Sequence, residues 1–384
     1  MRIPFTRQAG KQLKVHPLAL PLIQGMADEF GSFEADEAFQ ARIRALELSR
    51  HIEPELPSTL MAELRDYQLQ GFRWLSRLAA WGVGACLADD MGLGKTLQAI
   101  ALMLARAPDG PTLVIAPTSV VFNWQAEITR FAPTLRPLAL TGDRDALVAG
   151  LGPYDVLIVS YGLLQQESVA ELLAAKPFRT LVLDEAQAIK NAMTRRSQSV
   201  MSLQGDFRLV MTGTPLENHL GELWNLFRFI NPGLLGSEKS FNERFALPIE
   251  RDRSKTARQR LKQLIQPFIL RRTKSEVLTE LPERTEIKVV LEPREATFYE
   301  ALRQKLSNEL QTAPEPMHGE HQGLRVLAAI TQLRRACCNP NLVAPDLGLP
   351  SSKMALLKET LTELLDNRHK ALVFSQFVDH LSLV

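Results

Sequence analysis

The run Asp89-Asp90-Met91-Gly92-Leu93-Gly94-Lys95-Thr96 has the residue types and spacing needed to hold a phosphate chain. Glycines let backbone N–H groups approach phosphate oxygens, and the N-terminus of a following helix favours an anion. Lys95 is expected to hold the β- and γ-phosphates of a nucleotide, with Asp90, Met91, Gly92, Leu93 and Gly94 forming the cradle. Thr96 is expected to ligate Mg²⁺ through its hydroxyl. The generic loop G-x-x-x-x-G-K-[ST] has glycine where this chain has Asp89, and Gly-Lys-Thr also occurs by chance in turns. An apolar run before the motif and a helical segment after it supply the context the loop requires. A second candidate is Asp184-Glu185-Ala186-Gln187, at the end of an apolar run. An Asp at a strand terminus can coordinate Mg²⁺, and the adjacent Glu can take a proton from an attacking water. Alone, such an acidic pair is equally the mark of a solvated loop; together, the two motifs describe phosphoryl-transfer chemistry.

Those motifs need elements to position them. Ala85–Ala88, Leu113–Ala116, Val156–Val159, Leu181–Leu183 and Leu209–Met211 are short runs, apolar at every position, as strands covered on both faces are. Helical segments such as Thr96–Arg106 and Ser119–Phe131 alternate with them. The alternation predicts a doubly wound parallel α/β sheet, whose ligands bind beyond the carboxyl ends of the strands. Before it, Phe39, Ile43 and Leu46 mark an amphipathic helix over Asp36–Ile52, and Pro54 and Pro57 suggest a boundary. After it, Thr214-Pro215-Leu216-Glu217 reads as a capping box opening a helix with Leu220, Leu223, Trp224 and Phe227. Arg251–Lys274 and the segment after Glu292 read as helical, and Ala313–Gly323 as a loop. A helix over Lys353–Asn367 and a strand at Ala371–Phe374 look like the start of a second α/β domain. The expected division is 1–57, 58–230, 231–345 and 346–384.

Among 384 residues, 45% are hydrophobic and 23% charged, and the formal net charge is +2, so any nucleic-acid surface must be a local patch. Cys86, Cys337 and Cys338 form no C-x-x-C pair, which argues against a zinc site. Buried reduced thiols are the simple expectation for them. No run approaches the length of a membrane span, the N-terminus lacks the apolar stretch of a signal peptide, and a cytoplasmic protein is expected. Trp124 could stack on DNA, although a tryptophan on an amphipathic helix more often fills a core. Arg271, Arg272 and Lys274 could grip phosphates, but a charge run equally suits a solvated face.

From about Leu64 onward the chain resembles the helicase-like superfamily that contains the SWI/SNF ATPases, with a RecA-like fold. Leu64-Arg65-Asp66-Tyr67-Gln68 followed by Gly71-Phe72-Arg73-Trp74-Leu75 resembles that family's adenine-recognition motif, which implies that Gln68 reads the base. LADDMGLGKT is close to its phosphate loop, where Asp89 in place of the first glycine is usual. Ile115–Trp124, which includes Thr118 and Ser119, resembles a DNA-backbone contact, as does Ser160-Tyr161. Met211–Asn218, which includes Thr212, Gly213 and Thr214, is similar to the motif linking hydrolysis to strand movement. Leu270-Arg271-Arg272-Thr273-Lys274 and Leu333–Pro340 resemble hallmarks of the family, and Phe374-Ser375-Gln376-Phe377 the first motif of a second motor lobe. Asp90 stands where many relatives carry glutamate, and Gln187 where histidine is common.

The resemblance implies an ATP- and Mg²⁺-dependent motor translocating on double-stranded DNA and displacing or remodelling DNA-bound protein or RNA polymerase, in a cytoplasmic, nucleoid-associated setting. A strand-separating helicase on DNA or RNA is an alternative, against which stand the TGTP and LRRTK segments. A nucleotide-binding module without catalysis is another, against which stand Lys95, Thr96, Asp184 and Glu185. Later second-lobe motifs are not found before Val384. This stretch alone is therefore expected to bind ATP and hydrolyse it weakly.

Overall fold

The computed structural model describes residues 7–9, 12–14, 18, 36–213, 220–278, 286–312 and 320–384. They form two compact units, 1–281 and 282–384. The expected capping box at Thr214–Glu217 lies outside the described residues, as does most of the expected loop Ala313–Gly323. The end of that expected loop is helical instead, because a helix begins at Glu320.

The first unit opens with a small antiparallel ribbon, β1 (Arg7–Ala9) and β2 (Gln12–Lys14), and a helix over Glu37–His51. Its body is a seven-stranded sheet of β3 (Ala85–Leu87), β4 (Thr112–Ala116), β5 (Arg136–Ala139), β6 (Asp155–Ser160), β7 (Pro177–Leu183), β8 (Gln204–Met211) and β9 (Ile269–Leu270). The order across the sheet is β5-β6-β4-β7-β8-β3-β9, and every described pairing in it is parallel. The apolar runs are strands, as their composition predicts: β3 and β4 are buried at each position. A parallel strand buried on both faces needs apolar side chains on both.

Two strands escape the sequence pattern. β5 is an edge strand that carries Pro137, and an edge is where a sheet tolerates a residue without an N–H. β9 lies within the stretch read as one basic helix. That stretch is instead a helix over Lys255–Ile265, a 3₁₀ turn, β9, and a short helix over Lys274–Val277. Ile269 and Leu270 pair with Cys86 and Leu87 on the otherwise open side of β3, and the ladder overrides local helix preference.

The helix over Asp66–Trp81 buries Phe72, Leu75 and Leu78 and ends at Gly82, whose φ of 79° gives the left-handed cap that glycine adopts without cost. The loop from it to β3 passes through Gly84. A Cβ there would stand 2.4 Å from the Ile230 carbonyl oxygen and 2.8 Å from that of Arg208. The Gly84 N–H donates to the Asn231 Oδ1 at 3.0 Å.

In the second unit, helices over Pro293–Thr312, Glu320–Cys338 and Ser352–Asp366 dominate. The buried Glu295 carboxylate accepts from the Ser352 N–H at 3.0 Å and from its hydroxyl, joining the first helix to the N-terminus of the third. Ala371–Phe374 is not a strand: Leu372 and Phe374 are 85% and 88% exposed, and no described strand of this unit offers a ladder. Cys337 and Cys338 are half-buried, whereas Cys86 is buried and its thiol is pushed up to about 12 by desolvation.

Gly84→Ala should lower the stability of the first unit by about 1–3 kcal/mol, because a backbone clash in a packed site must be relieved by moving a strand. A urea titration reads this as a lower midpoint at unchanged slope; an unchanged midpoint would refute the close approach.

Candidate active site

Because the sheet is parallel, its carboxyl ends share one edge, and the expected motifs leave from it. The phosphate loop follows β3, Thr118 and Ser119 follow β4, Ser160 ends β6, Asp184 and Glu185 follow β7, Thr212 and Gly213 follow β8, and Arg271 follows β9.

In the phosphate loop, Gly92 and Gly94 have φ of 84° and 72°, values that a side chain would strain. The helix over Lys95–Arg106 starts at Gly94, so its first N–H groups face the loop. The Lys95 ammonium donates to the carbonyl oxygens of Asp89 at 2.7 Å and Asp90 at 3.2 Å. Burial lowers its pKa, while Glu185, Asp89, Asp184 and Asp90 pull it back up. Thr96 stands on the first turn of that helix, half-buried. Gln68 is buried, and its Nε2 donates to the Leu93 carbonyl at 3.2 Å while its Oε1 accepts from the Arg65 N–H at 3.0 Å. Its carboxamide thus ties its helix to the phosphate loop.

Asp184 is held from three directions. Its Oδ2 accepts from the Trp124 indole N–H at 2.9 Å, its Oδ1 from the Glu185 N–H at 2.9 Å, and its carbonyl oxygen from the Tyr161 hydroxyl at 2.9 Å. Burial raises the Asp184 pKa, the Trp124 hydrogen bond lowers it, and the neighbouring Glu185 raises it. Among the described residues no cationic side chain forms an ion pair with it. It is a half-buried carboxylate with spare lone pairs, which suits a divalent cation. Glu185 has φ 47° and ψ 56°, a left-handed conformation that costs a side-chain-bearing residue about 1–3 kcal/mol. Its Oε2 accepts from the Gln187 Nε2 at 2.9 Å, and the Gln187 Oε1 lies 3.4 Å from the Thr212 hydroxyl, which donates to it. A Cβ on Gly213 would lie 2.7 Å from the Met91 Cγ and 3.5 Å from the Lys95 Nζ. Gly213 therefore lies against the phosphate loop, and Thr212 meets the acidic pair through Gln187. Thr214 lies outside the described residues.

The residues expected on DNA divide. Thr118 and Ser119 are exposed in a 3₁₀ turn, near Phe122 at 79% exposure. Ser160 caps a short helix, accepting from the Leu163 N–H at 3.1 Å. Tyr161 is buried, and its hydroxyl, whose pKa burial raises, is directed at Asp184 and not at solvent. Trp124 belongs to the core, 1% exposed. Arg271 and Lys274 are exposed. Arg272 is turned inward onto Asp89, which is fully buried, because an uncompensated carboxylate could not remain there. The sequence pattern missed this pair and the Trp124–Asp184 bond. An acid in the glycine position of a phosphate loop was the available signal that a cation had to be close.

The chain matches the family model described as "SNF2-related domain" over residues 67–342. It is 37% identical over 364 residues to YwqA of Bacillus subtilis (strain 168), whose name gives it as a candidate ATP-dependent helicase/translocase; the match covers 90% of this chain and 39% of that protein. It is 35% identical to the ISWI chromatin-remodeling complex ATPase CHR11 of Arabidopsis thaliana, over 85% of this chain and 32% of that protein. The chain thus spans 32–39% of the length of these curated relatives. Among solved structures it is similar to the Sulfolobus solfataricus SWI2/SNF2 ATPase core in complex with dsDNA. That match has a TM-score of 0.56 and 36% identity, covering 86% of this chain and 70% of that one.

Trp124→Phe keeps the ring in the core and removes the donor to Asp184. Hydrogen bonds to charged groups contribute about 1.5–3 kcal/mol, so a loss of that order is expected at neutral pH. The bond favours the ionised carboxylate. Loss of the bond should raise the variant's Asp184 pKa above the already raised value of the unaltered protein. The deficit is therefore full above the variant's pKa and is lost as pH falls from there to that of the unaltered protein. Denaturant titrations of both proteins at neutral and acidic pH measure this, and a deficit that does not vary with pH would contradict it.

Proposed function

The chain belongs to the SNF2-related family, and on that premise we propose that it is the nucleotide-binding lobe of an ATP-driven motor that translocates on double-stranded DNA and thereby displaces or remodels bound protein. The observation that carries this reading is the convergence, on one sheet edge, of a phosphate loop, a half-buried Asp-Glu pair, and a Thr-Gly segment that lies against the loop and meets the pair through Gln187. The RecA-like parallel sheet supplies that edge.

In this reading, ATP phosphates replace the Asp89 and Asp90 carbonyl oxygens as the acceptors for Lys95. Mg²⁺, when bound, would neutralise charge on the β- and γ-phosphates; Thr96 and Asp184 would hold it, and the half-buried Asp184 carboxylate, in no ion pair among the described residues, fits that role. Glu185 takes the proton of the attacking water. Its carboxylate is steered by Gln187, which in turn touches Thr212, so a change in charge at Glu185 is felt at the start of the Thr212-Gly213 segment. That contact is a physical route from hydrolysis to movement. Gln68 is assigned to the adenine end of the site, and its hold on Leu93 links base occupancy to loop geometry. Thr118, Ser119 and Ser160 line the same edge and suit contacts to DNA phosphates, which carry no sequence information, as a motor that steps everywhere needs. The TGTP and LRRTK segments favour translocation over strand separation.

Lys95→Ala should abolish ATP turnover and weaken ATP binding, since a charge-assisted contact to phosphate is worth about 1.5–3 kcal/mol in binding alone and more in the transition state. Glu185→Gln should keep ATP binding nearly intact and stop hydrolysis. Titration with a fluorescent ATP analogue beside a phosphate-release assay tests both: near-normal turnover in the first variant, or binding that falls as steeply as turnover in the second, would overturn the assignments. Duplex binding should be independent of sequence, and each neutralised phosphate should add about −0.9 to the slope of log K against log salt. A flat salt response by fluorescence anisotropy would contradict a phosphate-backbone contact.

A further inference from the structure

We infer that Arg272, in the basic LRRTK segment, is a positioning residue of the nucleotide site that fixes the phosphate loop through Asp89, and is not a grip on DNA. The inference rests on the reading of that loop as an ATP site.

The backbone makes the first half of the case. β9 pairs with β3, and its ladder runs on past both strand ends: the Ala88 N–H donates to the Leu270 carbonyl at 2.7 Å and the Asp90 N–H to the Arg272 carbonyl at 3.0 Å. The first residues of the phosphate loop are thus held as an extension of the sheet. The Lys274 N–H donates to the Asp90 carboxylate at 3.1 Å.

The side chain makes the second half. Arg272 donates to Asp89 Oδ1 from its backbone N–H at 3.0 Å and from Nε at 3.0 Å, and to Oδ2 from Nη2. The same Nη2 reaches the Gln98 Oε1 at 2.9 Å, Nη1 donates to the Tyr67 carbonyl, and the guanidinium lies 5.2 Å from the centre of the Tyr67 ring. Asp89 and Gln98 have no exposed surface. Four of the guanidinium's five donors go to the helix over Asp66–Trp81, the loop, and the helix over Lys95–Arg106. Room for it comes from Gly71, where a Cβ would stand 1.8 Å from the Gln98 Oε1 and 3.0 Å from the Arg272 Nη2. Asp89 also offers its carbonyl oxygen to Lys95. Arg272, Asp89 and Lys95 are therefore mechanically in series, and a loose Asp89 misplaces the residue that meets the phosphates. Only the guanidinium fork can satisfy both carboxylate oxygens and two further acceptors; a lysine cannot.

The test uses the chain as it stands, with a fluorescent ATP analogue and Mg²⁺ as one probe and a labelled DNA duplex, without nucleotide, as the other. Nucleotide binding by the unaltered chain is measured first; its absence overturns the ATP-site reading and this inference with it. With binding in hand, Arg272→Met is expected to lose about tenfold or more in nucleotide affinity, because a buried carboxylate is left unpaired, while duplex affinity stays within about twofold. Arg272→Lys should not rescue it. A duplex affinity that falls as much as nucleotide affinity, or a nucleotide affinity that does not change, overturns the inference. Asp89→Gly/Arg272→Met removes both charges and restores the generic loop glycine. It should bind nucleotide more tightly than either single variant, which separates the pair from general damage to folding. Losses that simply add would contradict the coupling.

Discussion

The site depends on how β3 is held. A strand of three residues cannot by itself fix the loop that leaves it. Here β8 and β9 flank β3 in parallel, and hydrogen bonds continue beyond the strand ends on both sides, from Thr212 N–H to the Leu87 carbonyl and from Asp90 N–H to the Arg272 carbonyl. The loop is consequently clamped between the segment that follows β8 and the segment that follows β9. Gly213 can lie against Met91 and Lys95, and Arg272 against Asp89, only because this register brings the three strand ends level.

Charge is placed on the same logic. Asp89 is fully buried and Asp184 half-buried, and loss of hydration disfavours a carboxylate unless it is compensated. Asp89 is compensated within the protein, by Arg272. Asp184 receives two neutral donors, Trp124 and its neighbour's N–H, feels the nearby Lys95 ammonium, and forms no ion pair among the described residues. The difference is that Asp89 is neutralised inside the protein, whereas Asp184 keeps lone pairs that neither donor uses. The left-handed backbone of Glu185 follows from the same arrangement: the chain turns sharply so that the Asp184 Oδ1 can take the Glu185 N–H while the Glu185 side chain meets Gln187.

Much of this was legible in the sequence. The apolar runs that end at Ala116, Val159, Leu183 and Met211 mark parallel strands because burial on both faces leaves no polar alternation. The phosphate loop and Asp-Glu pair are local signatures, so they could be read without tertiary contacts. What could not be read depends on partners far along the chain. Ile269-Leu270 is two residues long and becomes a strand only because β3 presents an unfilled edge. Arg272 looks like one charge in a basic run, and its direction is set by Asp89, 183 positions away. Trp124 on an amphipathic helix points to the core, but the bond of its indole N–H to Asp184, 60 positions away, has no local signature. Ala371–Phe374 has strand composition, but Leu372 and Phe374 remain exposed without a ladder to join.

The central claim, an ATP-driven motor that tracks duplex DNA without opening it, is tested most directly by triplex displacement beside strand displacement on the same duplex. The account predicts that ATP drives release of a third strand lying across the duplex, that Glu185→Gln abolishes the release, and that the underlying duplex stays paired throughout. Unwinding of the duplex at a rate matching third-strand release, or release that proceeds without ATP, would contradict it.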